Sequence, residues 1–387
     1  MNKKIICLCL VVALAFSISV PAFAADTALS SQVAFEEQVL ALTSDVLEFI
    51  EPEKSLYGLA GIDFTSLYMG EKIPAYIITD AGIASETDIF YFPIMSDDTW
   101  VATSIVSFDS VGQMNVQVST EYANAYAGDT NISTEIALLF DCNAAYIYTD
   151  GIGLVQVAIS PDTITGRVSC EKYTGTFVLA TAQLNSERPL SVNVDASERS
   201  QTTRSFDNQY YLSVPGIQQA SGSLQCWAAC IASIRGYYGT TTTIDDVYEF
   251  SGITKYLGAN IYTSAIVLED YGFSLTWYWD GSFNWYQLRT EIYFNESPFF
   301  VSCSYSGGSG HAVVLRGYYV YQNISQVGII SYMDPVTGSY AASSVATDGD
   351  FYYVPSGSST QYTMSGFQAV ANRSEERRVG KECRSRW

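Results

Sequence analysis

The chain has 387 residues, 40 acidic against 19 basic side chains, a net charge of −21 and one histidine. Such an excess of negative charge repels phosphate backbones and anionic lipid surfaces, which excludes nucleic-acid binding as a working hypothesis. A single imidazole excludes a histidine-rich metal site, and no metal or cofactor is expected.

Lys3 and Lys4 precede the apolar run Ile5–Val20, and Ala22-Phe23-Ala24 places small residues where a signal peptidase cuts. Residues 1–24 read as a bacterial secretory signal, which makes the protein secreted, or extracellular. No later apolar run is long enough to span a bilayer, so no stable membrane insertion is expected after signal cleavage. At the other end, Arg373–Trp387 is abruptly basic, and its back-translation resembles a ligation adapter used in short-read DNA sequencing. Residues 373–387 are set aside as a non-native tail, with the natural C-terminus lying elsewhere; a genuine basic tail is the alternative. Of eight cysteines, Cys7 and Cys9 leave with the signal and Cys383 belongs to the tail. The odd number that remains leaves at least one thiol unpaired in an exported protein. A Cys142–Cys170 bridge is one option.

Residues 25–185 read as a small α+β domain. Val33, Leu40, Val46, Leu47 and Ile50 recur on one helical face. Strand patterns follow at Ala75–Thr79, Ile89–Met95, Trp100–Phe108, Met114–Ser119, Ala144–Tyr148 and Ile152–Ile159. Ser96-Asp97-Asp98-Thr99 and Asp150-Gly151 are hairpin turns. Ser186–Asn208 is polar and carries Arg188, Arg199 and Arg204 in a chain otherwise poor in basic residues. It reads as an exposed linker, either an inert tether or a site of proteolytic processing.

Residues 209–372 form the second domain. Trp227, Cys230, Ile231, Ile234, Tyr237 and Tyr238 mark a helix beginning at Cys226, and Thr243 caps a second running through Phe250. A third helix runs from about Ser264 to Tyr271, with Gly272 as its stop signal, and a fourth covers Phe283–Phe294. Strands follow at Phe299–Tyr305, His311–Tyr321, Ile329–Met333 and Tyr340–Val345. Helices first and an antiparallel sheet afterwards make an α+β domain.

Three short segments carry chemistry. Cys226 follows a glycine-containing loop and opens a helix, where unpaired N–H groups and the positive dipole end stabilise a thiolate. His311 begins an apolar strand after Ser306-Gly307-Gly308-Ser309-Gly310, a segment over which a substrate backbone can approach closely. Asp334 ends the strand Ile329–Met333 and precedes Pro335, where a carboxylate can accept an imidazole N–H and fix its tautomer. Taken alone, each has an ordinary structural reading: a buried cysteine, a satisfied core histidine, an Asp-Pro turn. Gln219 lies in the loop before Cys226, where a side-chain amide can assist the Cys226 N–H in binding an oxyanion; as a bland alternative it is a solvated loop amide.

The order glutamine, Cys-Trp on a helix, Gly-His before an apolar strand, then Asp-Pro resembles the papain-like cysteine peptidase superfamily. Within it, the resemblance is to compact bacterial members, staphopain-like and bacteriocin-leader-peptidase-like. It covers about Ser213–Val370 and is carried by Gln225–Cys230 and Gly310–Tyr318. The resemblance implies a papain-like catalytic domain with Cys226 as nucleophile, His311 as base and acid, Asp334 as orienter and Gln219 as oxyanion donor. Leu224-Gln225 replaces the small residues that precede Cys-Trp in papains. Ala220 holds the usual glutamine position, so Gln219 needs a loop one residue longer, and Gln218 is its neighbour in the same role.

The expected protein is a secreted cysteine endopeptidase made as a zymogen. Its N-terminal domain is propeptide, chaperone and inhibitor, and cleavage in 186–208 releases the enzyme. Its partners are a protein or peptide substrate and its own prodomain. Because both halves are acidic, their contact is expected to rest on apolar fit rather than charge attraction. The same triad also serves a cell-wall peptide hydrolase or acyltransferase, and a non-catalytic papain-like surface module is a third reading.

Overall fold

A computed structural model describes residues 23–372, apart from 80–81, 109–111, 128–134, 141–143, 150–152, 160–181, 184–189, 192–208, 256, 280–282, 305–309, 321–326, 347–350, 356–357 and 359–360. The signal segment before Phe23, Cys142, Cys170, the Asp150-Gly151 turn, Ser306–Ser309 and the tail 373–387 lie outside the described residues. So does all of 186–208 except Leu190 and Ser191. No described helix is long and apolar enough to cross a membrane.

The chain divides into two compact units, residues 1–42 and 43–387. Helix α1 (Phe23–Ile50) includes the boundary. It stops at Glu51-Pro52-Glu53, a 3-10 turn, because the proline ring cannot continue an α-helix.

In the second unit the strands before the 186–208 connection are β1 (Tyr68–Met69), β2 (Ala75–Thr79), β3 (Gly82–Glu86), β4 (Phe90–Ser96), β5 (Thr99–Phe108), β6 (Met114–Ser119), β7 (Glu135–Phe140), β8 (Ala144–Thr149), β9 (Gly153–Ile159) and β10 (Ala182–Gln183), and within it β11 (Leu190–Ser191) pairs with β1. Helix α2 (Glu121–Tyr126) follows β6. After the connection come β12 (Gln209–Tyr211), helices α3 (Cys226–Tyr237), α4 (Ile244–Ser251) and α5 (Ile261–Asp270), strand β13 (Phe273–Trp279) and helix α6 (Trp285–Arg289). The chain ends in β14 (Phe299–Ser304), β15 (Gly310–Val320), β16 (Val327–Asp334), β17 (Ser339–Ala346), β18 (Phe351–Tyr353) and β19 (Tyr362–Asn372). Helices packed beside an antiparallel sheet give the α+β class.

Local chemistry accounts for the elements that frame the site. The turn between β4 and β5 holds Asp97 at φ 47° and Asp98 at φ 61°, the pair of left-handed residues a two-residue hairpin requires and aspartate tolerates. Thr243 caps α4 and Asp246 answers from the third position, a reciprocal capping box. Asn260 caps α5. Helix α3 buries Trp227, Ile231 and Ile234, each side chain contributing roughly 1.5–3 kcal/mol on leaving water. Trp227 Nε1 and the Tyr248 hydroxyl both donate to the Leu257 carbonyl, at 3.1 and 2.7 Å, which fixes the start of α3 against α4.

The larger sheet runs β11-β1-β4-β5-β6-β17-β16-β15-β14-β19-β13, with β12 on β15 and β18 on β19. It is antiparallel throughout and passes from one side of the connection to the other through β6 and β17, where Val118 faces Ala342 and Gln117 faces Ser343. A smaller sheet, β3-β2-β7-β8-β9, contains the parallel pair β2–β7.

The contact between the two halves adds buried polar links to the apolar fit expected of it. Arg316, fully buried in β15, pairs with Glu53. The hydroxyls of Tyr57 and Ser331, both buried, lie 2.6 Å apart. Net charge of like sign on both halves says little about which individual charges meet in a desolvated contact.

Candidate active site

Cys226 is the first residue of α3, behind Gln225, whose backbone is not helical and whose side chain does not cap the helix. The N–H groups of the first turn thus stay available at the thiol's end of the helix. Cys226 is partly exposed, whereas Cys230 and Cys303 are buried. Burial pushes both of those thiols well above their ordinary range, so neither is disposed to ionise.

Strand pairing delivers the histidine. His311 enters β15 opposite Cys303 of β14, is 5 % exposed, and its ring stacks on Tyr353 with centroids 6.2 Å apart. Its Nε2 lies 2.9 Å from Asp334 Oδ1. The ring also hydrogen-bonds Cys226. With Nε2 taken by the carboxylate, Nδ1 is the ring nitrogen left for the thiol.

Asp334 closes β16 and is itself held. Its Oδ1 also accepts the Val336 N–H at 2.9 Å, and its carbonyl accepts the Gly338 N–H at 2.8 Å. Gly338 sits at φ 67°, and Gly216 passes so close that a Cβ there would come within 2.1 Å of the Gly338 carbonyl. A side chain at Gly216 would push the aspartate turn out of place.

Burial works against the charged imidazolium, but the Asp334 charge and hydrogen bond, with those of Cys226, outweigh it and push His311 up to about 10. Near neutral pH the ring is therefore protonated. Stability from this raised value is complete below the ordinary 6.5 and is lost, with the imidazolium, as pH rises through about 10. Asp334→Asn removes the main raising charge, so the alkaline limb of kcat/KM is expected to move to lower pH. A pH–rate profile with the limb unmoved would show that Asp334 does not set the histidine's charge.

Of the two glutamines, Gln219 is buried and Gln218 exposed. Gln219 Nε2 donates to the Ser223 carbonyl at 3.0 Å, and its backbone N–H donates to the Pro335 carbonyl at 2.7 Å. Gln218 instead donates to the Val336 carbonyl at 3.2 Å. Gln225 accepts from the Ala220 N–H and the Ser223 hydroxyl, at 3.2 and 3.1 Å, and so braces the loop rather than facing the thiol. Cys226, His311 and Asp334 are thus brought together. Gln219 is tied to the turn beyond Asp334, with one amide N–H engaged by Ser223.

Two neighbours of the triad were not legible as such. Tyr353 comes from β18, and Glu121 from the start of α2. The half-buried Glu121 carboxyl hydrogen-bonds Thr337; burial and the nearby Asp334 charge push it up to about 8.

A thiol at a helix start, a histidine on a strand and a carboxylate behind the ring form an arrangement able to carry out thiol acyl transfer. Residues 208–347 match a family described as papain-like cysteine protease AvrRpt2. Among solved structures, the peptidase domain of Streptococcus ComA, a bi-functional ABC transporter involved in a quorum-sensing pathway, is similar at 17 % identity. The match covers 41 % of this chain and 99 % of that one, with a TM-score of 0.27. No curated protein matches the sequence. The matched segment, residues 208–347, is thus similar to papain-like cysteine proteases, and it contains Cys226, His311 and Asp334.

Proposed function

We propose that this chain is a secreted bacterial endopeptidase made as an inactive precursor, with Cys226, His311, Asp334 and Gln219 as its working residues. The observation that supports the reading is the placement of His311, with Nε2 on the Asp334 carboxylate and the ring beside Cys226, the one partly exposed thiol of the three described cysteines. The Cys226 thiolate attacks the peptide carbonyl carbon, and the carbonyl electron pair moves to oxygen. The Cys226 N–H and the Gln219 amide stabilise that oxyanion. As the tetrahedral adduct collapses, the C–N bond breaks and the His311 imidazolium gives its proton to the departing amine, leaving a thioester. Water then attacks, His311 takes its proton, and the carboxylic product leaves with the thiolate and imidazolium restored. Asp334 holds the ring in one tautomer and orientation throughout.

The N-terminal domain serves as folding partner and inhibitor, and cutting within Ser186–Asn208 is the activating step, supported by the clustering of Arg188, Arg199 and Arg204 there. Mass spectrometry of the mature N-terminus, compared between wild type and Cys226→Ala, tests the reading. Self-processing predicts a new N-terminus inside 186–208 that is missing from the variant. An identical mature N-terminus in both would remove self-processing from the proposal. Intact chain in both would remove processing altogether.

A further inference from the structure

We propose that the N-terminal domain stays bound after the 186–208 connection is cut, so that the mature peptidase is a two-chain particle rather than a released single domain. This rests on the processing step proposed for 186–208, with the cut itself, not departure of the domain, as the activating event. Three separate contacts carry it.

The first is the shared sheet. Strands β6 and β17 pair edge to edge, and the Val116 N–H donates to Ser344 Oγ at 2.7 Å. Removing the N-terminal domain would leave β17 as a bare edge.

The second is Val354, just beyond β18 on the peptidase side. It is 2 % exposed and belongs to the core of the other half, together with Tyr91, Trp100 and Tyr122. The Gln117 side chain grips its backbone from both sides, accepting from the Val354 N–H at 3.0 Å and donating to its carbonyl at 3.1 Å. An apolar side chain set into the partner's core, with its own amide group satisfied by that partner, has no equivalent solvation once the halves part.

The third is the pair of buried polar links, Arg316 to Glu53 and Tyr57 to Ser331. Arg316 is completely buried, and loss of the N-terminal domain would take away its carboxylate. Near the active site, Glu121 reaches Thr337 beside Asp334. A retained domain therefore remains a neighbour of the triad. Contacts of these kinds resemble a domain core more than a surface built for release into water.

The test uses the full chain in a Cys226→Ala background, with a site for an unrelated sequence-specific protease placed within 192–208. After complete cutting, size-exclusion chromatography in low and in high salt is expected to show both pieces eluting together at the precursor's position. Elution of the N-terminal piece as a separate species would overturn the proposal. Val354→Asp is expected to separate the cut pieces, with the uncut variant's circular dichroism serving as a check on folding. Continued co-elution of well-folded Val354→Asp would overturn the assigned contact. Because the measurement needs no catalysis, an inactive wild type would defeat the peptidase mechanism without affecting this result.

Discussion

Replacing Cys226 with alanine is expected to lower kcat/KM on peptide substrates by on the order of 10⁴-fold or more, to near the uncatalysed background. The size of the loss reflects its role: without the sulfur there is no acyl-enzyme, and the remaining oxyanion donors and binding contacts accelerate only slow attack by water. Cys230→Ala and Cys303→Ala should keep the chemistry, since both thiols are buried. His311→Ala should fall about as far, because residues that act as one unit are not additive and the chain has no second imidazole. The two variants differ in a useful way. Cys226→Ala leaves the His311–Asp334 pair intact, whereas His311→Ala leaves a 4 % exposed carboxylate with the Val336 N–H as its remaining side-chain hydrogen bond. Stability should therefore drop more in the histidine variant. The check is kcat/KM on a fluorogenic peptide together with a thermal melt. A Cys226→Ala protein cleaving at the wild-type rate would end the mechanism.

How far the sequence goes depends on how local each signal is. Cys226, His311 and Asp334 are legible because each stands beside its own cue: a helix start, a glycine before an apolar strand, and an Asp-Pro turn. Helix α4 is legible for the same reason, from Thr243. Strand β7 is not, because Ile136–Phe140 is buried throughout and gives a continuous apolar run without alternation. Strand β19 is interrupted by a bulge opposite Ser302 and Cys303, which breaks the period of two that would announce it. Strand β13 does alternate over Phe273–Thr276, then loses the pattern in Trp277-Tyr278-Trp279. The helix expected over Phe283–Phe294 is α-helical only through Arg289 and widens to a π turn over Thr290–Phe294, a change that apolar spacing does not encode. Glu121 lies in a helix too short for any periodicity, and it meets Asp334 only because β6 joins β17. No local pattern encodes that pairing, which depends on the tertiary fold.

The same long-range closure makes Glu53→Ala the most damaging change expected away from the triad. Arg316 is fully buried, its Nε donates to the Leu212 carbonyl at 2.9 Å, and its guanidinium lies 4.5 Å from the Tyr340 ring centroid. Among the described residues its Nη1 has no partner, and Glu53 is the carboxylate paired with this cation. Breaking a buried pair from one side costs about 3–5 kcal/mol, because the remaining charge stays desolvated. The Glu53 side chain is 24 % exposed, which places the expected loss toward the lower end, about 3 kcal/mol, as water reaches the gap. Arg316→Met added to Glu53→Ala should restore part of that loss, since the methionine fills similar space and leaves no charge behind. Urea unfolding of wild type, both single variants and the double variant measures the cycle. A double variant less stable than Glu53→Ala alone would mean that Arg316 stabilises the fold through its contacts with Leu212 and Tyr340, independently of the carboxylate. The predicted ordering instead makes the desolvated charge dominant: an acidic N-terminal half supplies one carboxylate that the peptidase half's buried arginine requires.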